Sequence, residues 1–151
     1  KGIIMLLSHK TSVKLNKDSS NIIGHMCYAA YKLWNVCKFE RLHYKELGLG
    51  EYPDWYYQKK AHKNDLWYKK LPSQTAQEVC KLLDKSWESF YKLAETQGVA
   101  NPRPSKFKHS KMPVNYMQNG IVHAAGSNTV RLSVPKQIKD YMSETYEISE
   151  N

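Results

Sequence analysis

Pro72-Ser73-Gln74-Thr75-Ala76-Gln77-Glu78-Val79-Cys80-Lys81-Leu82-Leu83-Asp84-Lys85-Ser86-Trp87-Glu88-Ser89-Phe90 decides the fold class, because its apolar residues return at helical spacing. Ala76, Val79, Cys80, Leu83, Trp87, Phe90 and Ala94 fall on one stripe, with polar residues between them. Ser73 or Thr75 can cap the start, Thr75-Ala76-Gln77-Glu78 has the capping-box form, and Gly98 is placed to stop the helix. A stripe this wide must be buried against another element, so a second long helix is expected.

Upstream, Ile22, Ile23, Met26, Cys27, Ala30, Leu33, Trp34 and Cys37 recur with the same period. Asn16-Lys17-Asp18-Ser19 offers N-cap side chains and Gly48 a C′ glycine, which predicts a first helix from about Ser19 to Leu47. Pro53 suits the first turn of a second helix holding Trp55, Tyr56, Tyr57, Lys59 and Lys60. At the N-terminus, Ile3-Ile4-Met5-Leu6-Leu7 followed by the alternation Thr11-Ser12-Val13-Lys14-Leu15 predicts a strand over about residues 3–15.

Downstream the composition changes. Pro102, Pro104 and Pro113 stand among Asn, Ser and basic residues between Gly98 and Pro113, which neither a helix nor a central strand can traverse. An extended arm is expected there. Asn115–Ala125 and Thr129–Val134 then read as two strands joined at Gly126-Ser127-Asn128, and Pro135 opens a short helix through about Met142 with Ile138 and Tyr141 on one face. The fold class is therefore α+β and mostly helical: a helical insertion (17–98) lies between a first strand (1–16) and a later hairpin region (112–143). A basic Pro-rich arm (99–111) precedes the hairpin and an acidic tail (144–151) closes the chain.

The chain has 151 residues, of which 41% are hydrophobic, a length suited to one domain. Trp 4, Tyr 11 and Phe 3 supply large side chains for a core, which argues against wholesale disorder. The longest apolar run, residues 3–7, falls far short of the roughly 20 residues of a membrane helix, and no membrane partner is expected. Cys27, Cys37 and Cys80 are odd in number and sit in helical sequence, which fits reduced thiols and a cytoplasmic setting.

Lys+Arg number 23 against 14 Asp+Glu, a formal charge of +9. The excess is concentrated, because residues 140–151 carry Asp140, Glu144, Glu147 and Glu150 with no Lys or Arg. Lys59, Lys60, Lys63, Lys69 and Lys70 stand against Asp65 alone, and Arg103, Lys106, Lys108 and Lys111 against no acid. Such a field attracts polyanions, nucleic acid foremost; a solvated face without a ligand would carry the same charges.

Common catalytic signatures are missing. The sequence holds no Gly-rich phosphate cradle, no nucleophile elbow and no zincin helix. His25 and Cys27 would point about 200° apart on a helix, so neither a metal site nor a cofactor is expected. Acidic residues such as Asp84 beside Lys81 read as surface ion pairs. A metal-dependent nuclease in its own right would need clustered carboxylates that the chain lacks.

Two constellations remain. Tyr52-Pro53-Asp54-Trp55-Tyr56-Tyr57 with Lys59-Lys60 and Lys63, followed by Trp67-Tyr68-Lys69-Lys70, interleaves rings that stack on bases with cations that follow phosphates. Core packing is the competing role for those rings, most of all for Trp67. The arm Asn101-Pro102-Arg103-Pro104-Ser105-Lys106-Phe107-Lys108-His109-Ser110-Lys111 would present its cations from a stiffened backbone, or serve as a plain linker. Candidate phosphate contacts are Lys10, Lys14, Lys59, Lys60, Lys63, Arg103, Lys106, Lys108 and Lys111; candidate stacking rings are Trp55, Tyr56 and Tyr57.

The stretch from Leu71 to Phe90 closely resembles the TnpB (OrfB) family of transposon-encoded, transposase-like proteins. In that family a similar helix precedes a Pro-Arg/Lys-Phe-Lys segment, matched here by Pro104-Ser105-Lys106-Phe107-Lys108 with Ser105 as a departure. Tyr31-Lys32-Leu33-Trp34-Asn35 resembles the family's first-helix pattern, and Val130-Arg131-Leu132-Ser133-Val134-Pro135-Lys136 its strand leading to a Pro-Lys pair. The likeness runs from about Thr11 to Tyr141.

The resemblance implies the N-terminal portion of an insertion-sequence protein that acts as an RNA-guided DNA endonuclease. There a wedge-type β-barrel, incomplete in this chain, is interrupted by a helical recognition domain, a region also described as helix-turn-helix. Its implied work is to hold guide RNA and target heteroduplex. The family's RuvC-like nuclease, with three metal-binding carboxylates, and its Cys-rich zinc element lie beyond the matched region, so the resemblance assigns no catalytic residue and this chain alone is expected not to be an enzyme. Lys1 in place of an initiator Met fits an excised piece, a trimmed chain or a decayed gene product. Its expected partners are RNA or DNA and a C-terminal nuclease half. The alternative is a free-standing helical interaction or regulatory module, for instance the partner of a split nuclease.

Overall fold

The computed structural model describes residues 6–123 and 125–146. Two long helices dominate: α1, Lys17–Leu42, and α4, Ser73–Thr96. Between them run α2, Trp55–Ala61, and the single turn α3, Leu66–Lys69. A short antiparallel hairpin, β1 Ile121–His123 and β2 Val130–Leu132, and helix α5, Lys136–Tyr146, follow. The expected α+β, mostly helical class is what the structure has.

Helix α1 starts where its sequence provides a cap. The Asn16 side chain accepts the Ser19 N–H at 2.7 Å, satisfying one of the donors that a helix start leaves open. Regular helix ends at Leu42, earlier than expected, and an irregular turn continues to Gly48, which takes a positive φ of 76°. There Leu49 N–H reaches back to Tyr44 C=O at 2.9 Å, so glycine closes the turn and not the helix proper. Asp54, not Pro53, caps α2, accepting the Tyr57 N–H at 2.8 Å; buried Pro53 sits one residue before the cap.

The α4 stripe is buried from Thr75 through Trp87, with Ala76, Cys80 and Leu83 wholly enclosed. The capping box does not form. Pro72 holds the N-cap position without a side-chain bond, and the Thr75 hydroxyl donates to Asn115 C=O at 2.8 Å, tying α4 to the later chain. At the other end Gln97, not Gly98, adopts the left-handed conformation, and Ala94 is exposed. Facing α4, α1 buries Ile22, Met26, Ala29, Ala30, Leu33, Trp34 and Cys37. Together with Tyr68, Leu71 and Met112 most of these residues make one core. Burying each large aliphatic side chain contributes about 1.5–3 kcal/mol, so this interface holds the two helices together.

Two expectations change. Residues 6–16 form no strand: Leu6 and Leu7 are 93% and 88% exposed, and Val13 is also exposed; Ile3, Ile4 and Met5 lie outside the described residues. Alternation makes a strand only where a sheet edge accepts it, and among the described residues the only sheet is the two-stranded hairpin. That hairpin has Ile121 opposite Leu132, Val122 opposite Arg131 and His123 opposite Val130, shorter than expected but at the expected place. Helix α5 runs past Met142 into the segment expected as acidic tail, with Ile138 its buried anchor; Glu147 and Glu150 lie outside the described residues. Among the described residues no helix is long and apolar enough to cross a membrane.

Candidate nucleic-acid interface

The expected extended arm packs against the helices. Residues 99–117 have no regular structure, but they form a strap laid along α1, antiparallel to it. Asn35 makes a paired contact with Lys108, its Nδ2 donating to the Lys108 C=O and its Oδ1 accepting the Lys108 N–H, both at 2.8 Å. Trp34 Nε1 donates to Lys106 C=O at 3.3 Å, and Met112 N–H donates to Cys27 C=O at 3.3 Å. Ser105 meets Ser86 of α4 at 2.8 Å. Anchored in this way, the strap holds Lys108 Nζ 4.9 Å from the centre of the Trp34 ring. Lys111 Nζ lies over Gly24, where a Cβ would come within 2.8 Å of it. Arg103 and Lys106 are exposed on the same strap.

The aromatic constellation divides between two partners. Lys59 Nζ stands 4.5 Å from the Trp55 ring and 4.8 Å from Tyr56, while Lys81 of α4 approaches Trp55 at 5.6 Å. Trp55 and Tyr56 are neighbours at 4.0 Å, and Trp55 also packs on the core. These two rings therefore already carry cations. Tyr57 is 43% exposed, and among the described residues no lysine covers it. Lys60 and Lys63 are exposed around the same helix.

The second half of the constellation joins α1. Tyr68 is buried; Trp67 is partly buried and meets Tyr28 edge-on at 5.5 Å, with Lys70 Nζ 5.4 Å from its ring. Lys32 completes the group, 5.4 Å from Tyr28 and 5.2 Å from Tyr31. Lys10 and Lys14 lie on the exposed N-terminal segment, apart from both aromatic groups in their described contacts. Sequence reading missed Lys32, Lys70 and Lys81 as site candidates. The signal was an aromatic residue three or four positions from each lysine on a helix, or, for Lys81, one on another helix.

Beneath the α2 face lies a polar core that periodicity did not reveal. Arg41 continues the buried stripe of α1; its Nε donates to Gln58 Oε1 at 2.9 Å and its Nη2 sits 2.7 Å from Asp84 Oδ1. That nitrogen has no well-aligned acceptor, so the Asp84 contact is an ion pair more than a hydrogen bond. Asp84 is therefore not the surface partner of Lys81. Wholly buried Gln58 donates to Cys37 C=O at 2.8 Å and Glu40 Oε1 at 3.0 Å. His62 bridges Glu40, at 3.2 Å, and Asp65. Burial opposes protonation of this imidazole, but the two carboxylates outweigh it and push the pKa up to about 9. Nearby, buried Lys38 lies between the Trp87 ring at 5.0 Å and the Phe107 ring at 5.3 Å, its ammonium pushed below its ordinary value by burial.

Cys37 and Cys80 are reduced, as is Cys27. Among the described residues no group of three His, Cys, Asp or Glu could hold a metal ion. Compared with known proteins, the chain matches no family model, no curated protein and no solved structure.

Proposed function

We propose that this chain is the nucleic-acid-binding portion of a TnpB-like transposase or RNA-guided nuclease, without the nuclease site, acting in the cytoplasm on guide RNA or transposon DNA. The observation that carries this reading is the strap: Asn35 and Trp34 fix its backbone so that Lys108 and Lys111 are held along α1, on the helix that also carries Lys32. Cations held on aromatic rings give up less freedom when they meet phosphates than free side chains do. In the family it resembles, this region as a whole would hold guide RNA and target heteroduplex, and the hairpin and α5 would belong to the wedge-like part. The test is binding of the full chain to a structured RNA hairpin between 50 and 300 mM salt. Four or more neutralised phosphates predict a log–log slope of about −3 or steeper. A slope near zero, or no binding at low salt, overturns the reading.

One observation favours a second reading, a module that pairs with another protein. Ile121, Val122 and Val130 of the hairpin are 41%, 50% and 57% exposed, and Leu6 and Leu7 are still more open. A two-stranded hairpin with apolar residues outside is suited to completion by a partner's strands. A stable complex with a separate nuclease half, formed without nucleic acid, would support it.

A further inference from the structure

Where α1 is crossed by the strap and flanked by α5, an open-sided cleft of about 340 Å³ is lined by Asn21, Gly24, His25, Tyr28, Lys111 and Tyr141. Its size lies at the lower end of the roughly 300–1,000 Å³ of small-molecule clefts, suited to one small ligand. Among the described residues no carboxylate lines it. At Gly24 the bare backbone lets the Lys111 ammonium lie close against α1 at the cleft, where a Cβ would come within 2.8 Å of Nζ. Opposite, the His25 and Tyr141 rings pair at 5.3 Å with a 35° tilt, presenting aromatic surface, and Tyr28 adds a phenol. Burial, then Lys70 and Lys111, hold the His25 imidazole below its ordinary value, so the cleft is positive before anything enters it.

A point cation, neutral ring and amide donors and aromatic faces in one cleft match a phosphate linked to a base. We propose that this cleft binds a single nucleotide unit, its phosphate on Lys111 Nζ and its base against the His25–Tyr141 ring pair. The inference deepens the nucleic-acid reading and rests on it only for the source of the nucleotide, a strand and not a free metabolite. Lys111 acts through charge, Gly24 by leaving room, and His25 as a donor whose protonation an incoming phosphate would favour.

The test follows His25 and Gly24 by NMR in the full chain. The probes are adenosine 5′-monophosphate, adenosine, inorganic phosphate and a short 5′-phosphorylated oligonucleotide. The monophosphate is expected to saturate the site and raise the His25 pKa against the opposing charges of Lys70 and Lys111, with the Tyr28 and Tyr141 rings the other groups lining the cleft beside it. Adenosine and phosphate alone should each bind at least tenfold more weakly. Lys111→Met should weaken monophosphate binding about tenfold and remove the pKa rise, with the Lys108 and Met112 amides unmoved as a check on the strap. Gly24→Ala, to which the flexible Lys111 side chain can adjust by a small shift, should weaken binding less than Lys111→Met, and because alanine favours a helix it should not unfold the protein. Unchanged binding in both variants, or an unmoved His25, overturns the proposal. If the monophosphate does not bind while RNA binds with a steep salt slope, this inference fails and the nucleic-acid reading stands. If it binds but RNA does not, the cleft stands as a site for free nucleotides and the reading of the strap falls. Displacement of the monophosphate by the oligonucleotide would identify a strand as the source.

Discussion

Arg41 of α1 and Asp84 of α4 meet at 2.7 Å, the arginine side chain 1% exposed and the aspartate 22%. The pair crosses the interface on which the whole fold depends. Removing Asp84 would leave a buried guanidinium charge with Gln58, the Tyr52 ring and the nearby Glu40 but without its own directly paired carboxylate. Asp84→Ala is therefore expected to lower stability by about 3 kcal/mol. Urea unfolding of the variant measures it, and a loss under about 0.5 kcal/mol would show that the charge is satisfied elsewhere.

His62 gives stability a pH dependence with a definite sign. Its pKa is about 9 folded against an ordinary 6.5, so its contribution is complete below pH 6.5 and is lost as pH rises through 9. Burial works against Glu40 ionisation, but His62 and Gln58 hold its carboxyl below the ordinary 4.5, so that contribution is present above pH 4.5 and fades as pH falls further. The urea midpoint should form a plateau between these limits and drop on the alkaline side by an amount on the order of 2 kcal/mol. His62→Gln should flatten the alkaline limb; an unchanged limb would assign it to other groups.

The strap depends on one side chain more than on any of its own. Asn35→Ala removes both 2.8 Å bonds to Lys108 and is expected to cost about 1 kcal/mol of stability. Hydrogen exchange at the Lys108 amide should rise, and RNA affinity should fall several-fold with no basic residue removed. Affinity unchanged after the amide has been freed would place binding elsewhere, around Lys59 and Lys81.

Thiol reactivity should follow burial. Cys37 and Cys80 face each other at 3.9 Å inside the core and are fully enclosed, while Cys27 is only partly covered. The Cys80 and burial effects push the Cys37 thiol well up, and burial pushes Cys27 up as well. An aromatic disulfide reagent should modify Cys27 first, with Cys37 and Cys80 reacting only at the rate of opening. Rapid labelling of Cys37 in the native protein would mean that α1 and α4 part easily.

Legibility in the sequence followed periodicity. Leu33, Cys37, Ala76 and Leu83 recur at helical spacing and are core; the hairpin turn at Gly126 and the helix after Pro135 announce themselves through local chemistry. Lys38, Arg41, Gln58 and His62 occupy interior positions but look like surface residues, because only partners brought from other elements make their burial tolerable: Asp84 and Trp87 of α4, Gln58 of α2, Glu40 of α1 and Phe107 of the strap. The alternation at Thr11–Leu15 is the reverse case, a pattern without a sheet to receive it among the described residues. For the site, the basic residues could be named but not grouped. Proline in the arm announced an irregular chain, and nothing in one sequence said that Asn35 would hold it.

The bonds from Trp34 and Asn35 to the strap join residues 72 and 73 positions apart. During synthesis at about 5–20 residues per second, α1 emerges several seconds before its strap. Until then the face of Trp34 and Asn35 is bare, and the strap's cations are still inside the ribosome, itself an assembly of RNA. The order of translation thus lets the strap dock only after α4, whose Ser86 also meets Ser105 of the strap, has been made.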